Sequence, residues 1–158
     1  MITSTSNDTW RSHHVGHWLR LALVRFDARV LELMARHTAA PLGLANLAAR
    51  GQVGAAHIHI TRHLDLQGSR LTDLAARAGM TKQAMTTLVH QCEAWGMVER
   101  TDDPQDARAK HIRFTATGLA WLQAYQDAVV QAQEELQQSV GAEVATVIHL
   151  GLEAYSGG

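Results

Sequence analysis

The run Met97-Val-Glu-Arg-Thr-Asp-Asp-Pro-Gln-Asp-Ala-Arg-Ala-Lys-His-Ile-Arg-Phe-Thr-Ala-Thr-Gly118 constrains the fold of this chain more than any other stretch. Two strand-like segments, 97–101 and 110–115, flank a polar loop. In the second, His111, Arg113 and Thr115 fall on one face and Ile112 and Phe114 on the other, the period of two expected of a half-buried strand. Proline fixes its own φ and drives the preceding residue to extended geometry, so Asp103-Pro104 marks the bend. The result is a hairpin with Arg108 and Lys110 at its tip. What such a wing does depends on the elements before it.

Those elements are two short helices. Leu71, Leu74, Ala75 and Ala78 recur at the i, i+3, i+4, i+7 spacing of a helix face, with Thr72 as the expected N-cap and Gly79 as the left-handed residue that ends the helix. Thr81 caps a second helix that places Met85, Leu88, Val89, Cys92 and Trp95 on one stripe and stops at Gly96. Ala75 lies four residues before Gly79, so the helices can approach closely while Met85 and Leu88 plug the space between them. That is the packing logic of a helix-turn-helix. The outer face of the second helix offers Lys82, Gln83, Thr86, Thr87 and His90. Glutamine suits adenine, threonine suits a thymine methyl or a polar base edge, and lysine suits guanine or phosphate. Thr81 and the free N–H groups of the first turn form a seat for phosphate. An ordinary helical pair has the same periodicity, but a hairpin with a basic tip directly after it favours nucleic acid.

The flanking segments read as further helices. Val15, Leu19, Ala22, Leu23, Phe26, Val30 and Leu33 give a long amphipathic helix from His13 to about Arg36, with residues 1–10 expected to fray. Pro41 and Gly43 interrupt it, short helices follow at 44–50 and 54–64, and a second long helix carries Leu119, Leu122, Tyr125, Val129, Leu136 and Val140. A last helix carries Val144, Val147, Ile148, Leu152 and Tyr155. The expected fold class is therefore mainly α with a small β-hairpin. It divides into an N-terminal extension and dimerisation helix (1–52), a winged helix-turn-helix core (53–118) and C-terminal dimerisation helices (119–158). Two long apolar stripes cannot both be covered by one small winged core, whereas an isologous two-fold interface would bury them.

The formal net charge of the 158 residues is −1, so bulk charge alone does not point to nucleic acid. Its distribution is more telling: residues 1–50 hold six Lys/Arg against three acids, and residues 114–158 hold no Lys or Arg and five acids. DNA contacts must come from the first two-thirds of the chain. The single cysteine, Cys92, excludes an internal disulfide framework. Met1–Trp10 is polar and lacks the apolar core of a secretion signal, and no apolar run approaches the ~20 residues that span a bilayer. The expectation is a cytoplasmic protein without membrane partners.

The segments Leu71-Thr-Asp-Leu-Ala-Ala-Arg-Ala-Gly-Met-Thr-Lys-Gln-Ala-Met-Thr-Thr-Leu-Val, Gly96-Met-Val-Glu-Arg, Asp103-Pro-Gln-Asp-Ala-Arg108 and Phe114-Thr-Ala-Thr-Gly118 together resemble the MarR family of winged-helix regulators over about residues 53–118. The Asp-Pro-x-Asp-x-Arg wing is the most specific part. The resemblance implies a homodimer on double-stranded DNA, with a recognition helix in each major groove and Arg108 in the flanking minor groove. Asp106 would orient that arginine through a charge-assisted hydrogen bond, and Lys110 would touch phosphate. Many relatives carry a basic residue where this chain has Thr87, which shifts major-groove readout toward methyl contacts.

The family resemblance also implies a small effector, often a phenolic or aromatic carboxylate, held where dimer helices meet the winged domain. Arg11, His13, His17, Trp18 and Arg20, with His57 and His59, are the candidates: an arginine pairs with the carboxylate and an apolar wall takes the ring. The same residues also suit helix capping, solvation or pairing across a dimer. His13 with His17, and His59 with His63, have the i, i+4 spacing of two metal ligands, but neither pair has a nearby cysteine or acid at ligand spacing. A metal-responsive repressor and a protein-binding winged helix are the alternatives. No nucleophile–base pair, phosphate loop or metal cluster marks an enzyme, and no cofactor is expected.

Overall fold

The computed structural model describes residues 8–158. The fraying expected of residues 1–10 therefore falls mostly outside the described residues; of the rest, Thr9–Ser12 forms a turn of 3-10 helix. Seven helices and three short strands follow. Helix α1 (Val15–Arg36) leads to α2 (Leu42–Ala49) and α3 (Ala55–His63), then strand β1 (Ser69–Arg70), α4 (Leu71–Arg77) and α5 (Lys82–Ala94). Strands β2 (Val98–Asp102) and β3 (Lys110–Phe114) form the hairpin, and α6 (Ala116–Val140) and α7 (Ala142–Ser156) complete the chain.

The sheet is antiparallel in the order β1-β3-β2, with Val98 opposite Phe114, Asp102 opposite Lys110, and Ser69 opposite Ile112. Ile112 and Phe114 are buried as their alternation predicts. They join Met34, Ile60, Leu74, Met85, Met97 and Trp121 in one core beneath the helix-turn-helix. Strand β1 was not expected: two residues are too short to show a period, and only the free edge of β3 makes them a strand.

Two sequence expectations need correction. Helix α4 starts at Leu71 with Arg70 as its N-cap, so Thr72 lies inside the first turn and does not cap it. On α6 the buried face is Gly118, Trp121, Ala124, Ala128 and Ala132, one position away from the expected large apolar stripe. The alanines permit close approach to α1, while Leu122, Tyr125 and Val129 flank that contact half-buried and Leu119 is exposed. On α1 only Asp27, Val30 and Met34 are buried, and Val15 and Leu23 of the predicted stripe stand open to solvent.

Polar links lace α1 to its neighbours. Arg29 reaches both carboxylate oxygens of Glu135 at 2.7 and 2.9 Å, a bidentate pair between α1 and α6 that depresses the Glu135 pKa. His37 meets Asp127 at 2.9 Å, and the half-exposed Arg62 of α3 donates to the buried Asp27 at 3.0 Å. Helix α7 buries no residue and packs on α6. Among the described residues, no helix is long and apolar enough to cross a membrane.

Candidate nucleic-acid interface

Helices α4 and α5 are joined at Gly79, whose φ of 64° lies where a side chain would be strained. The Met80 N–H closes back on the Ala75 carbonyl at 2.9 Å, so the turn completes itself with main-chain bonds. Leu74 and Ala75 on α4 and Met85, Leu88, Val89 and Cys92 on α5 are buried together, which fixes the crossing and turns the other side of α5 to solvent. Thr81 caps α5, its Oγ1 accepting from the Ala84 N–H at 3.1 Å. Lys82, Gln83, Thr87 and His90 are exposed along the outward face, with Thr86 half-buried beside them. This is the row read from the sequence.

The wing is shaped by Asp103. One carboxylate oxygen accepts from the main-chain N–H groups of Gln105 at 2.7 Å and Asp106 at 3.2 Å; the other accepts from Arg70 Nε at 2.7 Å. Its own N–H donates to the Ala109 carbonyl at 3.0 Å, which closes the loop. Although the loop lies on the surface, the Asp103 side chain is only 6% exposed. The Arg70 guanidinium and the Gln105 N–H hold its carboxyl down at about 2. The sequence marks Asp103 as the bend and as the start of the Asp-Pro-x-Asp-x-Arg wing, and it does not single out Arg70. The aspartate-before-proline signal for a local side-chain acceptor was present, but nothing in the sequence pairs it with an arginine 33 residues away.

Arg108 is exposed on this loop, and among the described residues its guanidinium makes no ion pair. Asp106 supports Arg108 differently from the expectation: its carboxylate accepts from the Arg108 main-chain N–H at 3.0 Å and so sets the backbone without touching the guanidinium. Lys110 sits at the root of the loop, opposite Asp102 and 2.8 Å from its carboxylate. Arg100 on β2 donates to Glu93 at 2.6 Å and lies 3.2 Å from His90 Nε2, tying the hairpin to the far end of α5.

The expected effector residues fall into two groups. Arg11 pairs with Asp8 at 3.1 Å, the His13 ring nitrogen meets the Thr9 carbonyl at 2.7 Å, and Trp18 stands edge-on to His13 and His17. Arg20 is exposed one turn further along α1. His57 and His59 sit on α3. Both His57 nitrogens are occupied, Nδ1 accepting from the Gly54 N–H at 3.0 Å and Nε2 donating to Gln91 at 2.7 Å, with the ring 4.8 Å from Trp95. His59 stacks on His63, its Nδ1 buried without a partner among the described residues. Two surface clefts, of about 450 Å³ along α6 and about 300 Å³ between the wing and α4, are lined by none of these seven residues. Among the described residues, no three His, Cys, Asp or Glu side chains gather to hold a metal. Cys92 is buried in the α5 core, and desolvation pushes its thiol up to about 12.

A helix-turn-helix followed directly by an antiparallel wing, between long terminal helices, defines a winged helix-turn-helix protein. The model of the MarR family matches residues 53–109. No curated protein sequence matches the chain significantly. Among solved structures, the transcriptional repressor CouR bound to a 23-mer DNA duplex is 20% identical with a TM-score of 0.70, the match covering 97% of this chain and 99% of that one. The PcaV transcriptional regulator of Streptomyces coelicolor, in complex with its natural ligand, is 15% identical with a TM-score of 0.65 and 96% of both chains covered. BpsR of Bordetella bronchiseptica, whose DNA binding is regulated by 6-hydroxynicotinic acid, is 18% identical with a TM-score of 0.63, over 91% of this chain and 94% of that one. At these identities the likeness is one of fold.

Proposed function

We propose that this chain is a dimeric, sequence-specific DNA-binding transcriptional regulator, a repressor released from a pseudo-palindromic operator by a small aromatic or phenolic carboxylate. The observation that carries the proposal is the joint placement of an outward-facing α5 and a hairpin fixed in shape by Asp103, with Arg108 exposed on its loop. In this reading Thr81 and the N–H groups after it seat a phosphate. Lys82, Gln83, Thr86, Thr87 and His90 face the major groove, Arg108 enters the adjacent minor groove over Asp106, and Lys110 touches backbone. Residues 53–118 form the DNA-binding core. The segments on either side, 1–52 and 119–158, form the dimer, supported by apolar side chains left open on α1, α6 and α7. Two copies would set the recognition helices about 34 Å apart, one turn of duplex.

The proposed effector residues are Arg11, His13, His17, Trp18 and Arg20 with His57 and His59; Arg11, His13 and His57 already have partners within the chain, which an acid would have to displace. The ligands of PcaV and BpsR make a small molecule the natural class to screen.

The decisive experiment is fluorescence anisotropy with duplex from the chain's own promoter across a salt series. Arg108→Ala is expected to weaken binding nearly uniformly across sequences and to reduce the salt slope by about one. Gln83→Ala is expected to change which sequences bind. Unchanged affinity and slope for Arg108→Ala would remove the wing from the reading. The near-neutral charge supports one rival, a winged helix that binds protein, and failure of duplex to bind even at low salt would select it. Coupling is tested by titrating aromatic carboxylates that raise Tm: such a ligand must also change DNA affinity, because coupling is reciprocal.

A further inference from the structure

The middle of α5 has an unusual supply of hydrogen-bonding groups. Thr86 Oγ1 donates to the Lys82 carbonyl at 2.7 Å and Thr87 Oγ1 donates to the Gln83 carbonyl at 3.2 Å. Threonine in a helix divides between two χ1 wells because its hydroxyl can reach the carbonyl four residues back. Both side chains have taken that well. Each hydroxyl proton is therefore committed to the main chain, and each side chain has left to offer only a γ-methyl and an acceptor lone pair. The donors on this face lie at its ends: Lys82 and Gln83 in the first turn, and His90 in the last third beside Arg100.

The two kinds of base pair respond differently to such a surface. Guanine shows two acceptors, O6 and N7, to the major groove and needs donors opposite them. Its cytosine partner adds one amino donor, and an A·T pair likewise shows two acceptors, adenine N7 and thymine O4, and one amino donor; what it has in addition is the thymine 5-methyl group. A centre made of methyls and acceptors leaves the acceptors of either pair unmet, and it favours A·T because the thymine methyl alone gains an apolar contact there.

Resting on the DNA-binding reading above, we infer that Thr86 and Thr87 are specificity-determining residues that make the middle of each recognition helix select A·T pairs through thymine methyl contact. Guanine is accepted only toward the ends of α5. The target class is a duplex whose half-sites carry A·T steps at their centres.

The test begins with selection of bound duplexes from a random pool by the purified full-length protein. Single thymines in the selected half-site are then replaced by uracil, which removes the 5-methyl group alone. Enrichment of A·T at the half-site centre is expected, with a roughly fourfold loss of affinity for each contacted methyl removed. Thr87→Ser, which keeps the hydroxyl and lacks the methyl, should bind thymine and uracil duplexes alike at the position it faces. Thr87→Val, which keeps a methyl and lacks the hydroxyl, should retain the uracil penalty. Enriched sites with central G·C pairs would overturn the inference, as would a uracil penalty in Thr87→Ser equal to that of the unsubstituted protein; either result leaves DNA binding intact. No enriched sequence at all would overturn both readings.

Discussion

Asp103 shows how one side chain sets the shape of a loop. Its carboxylate holds two main-chain N–H groups and one guanidinium, and only the ionised form accepts all three. Its pKa is lowered from 3.8 to about 2, so it contributes stability above pH 3.8 that is lost as pH falls through about 2. Thermal unfolding followed by circular dichroism should show the lead in Tm of the unsubstituted protein over Asp103→Asn shrinking between about pH 4 and pH 2. A lead that persists undiminished at pH 2 would contradict the role assigned to this carboxylate. The Arg70 partner lies outside every motif legible in the sequence, because ion pairs between distant segments leave no periodic trace. The Asp-Pro bend was legible, since a turn is a local event. The Asp106 contact was half legible: the residue was picked out, but the acceptor serves the main chain of Arg108 and not its side chain.

At the scale of elements, the hairpin reaches α6 through a close approach at Gly118. A Cβ there would run into the Met97 carbonyl, a backbone atom that cannot step aside. Elsewhere in a helix, Gly→Ala stabilises by about 1 kcal/mol. Here Gly118→Ala is expected to destabilise by about 1–3 kcal/mol, as overpacking does, read from the urea midpoint at unchanged m. Thr115 caps the same helix start by accepting from the Gly118 N–H at 3.0 Å, so Thr115→Ala should cost about 1 kcal/mol. Strand β3, α4 and α5 are readable because their periods match one-sided burial. The buried face of α6 was not. Ala124, Ala128 and Ala132 carry little hydrophobic contrast, yet their small size admits α1, and the larger residues that dominate the pattern are displaced to the flanks.

At the scale of the molecule, open apolar surface is concentrated outside the winged core. Val15 and Trp18 on α1, and Val144, Val147, Ile148, Leu152 and Tyr155 on α7, are all at least 40% exposed. Surface of this kind on a 17.3 kDa chain calls for a partner, and the proposed partner is a second copy. Sedimentation should give twice the chain mass, with a Tm that rises with protein concentration. Ile148→Glu is expected to shift the species toward one chain and weaken DNA binding at least tenfold, since an unpaired charge in an apolar interface is costly. An unaltered sedimentation coefficient would exclude α7 from the interface.

Cys92, the chain's single thiol, is fully enclosed by the α5 core, and burial pushes its thiol up to about 12. The protein therefore carries its own clock. At neutral pH an alkylating reagent can mark the chain only when the helix-turn-helix opens. The labelling rate, followed by mass without any engineered probe, reports how often the core gives way, and a bound duplex or effector that secures this region should slow it about tenfold for every ~1.4 kcal/mol of stability it adds.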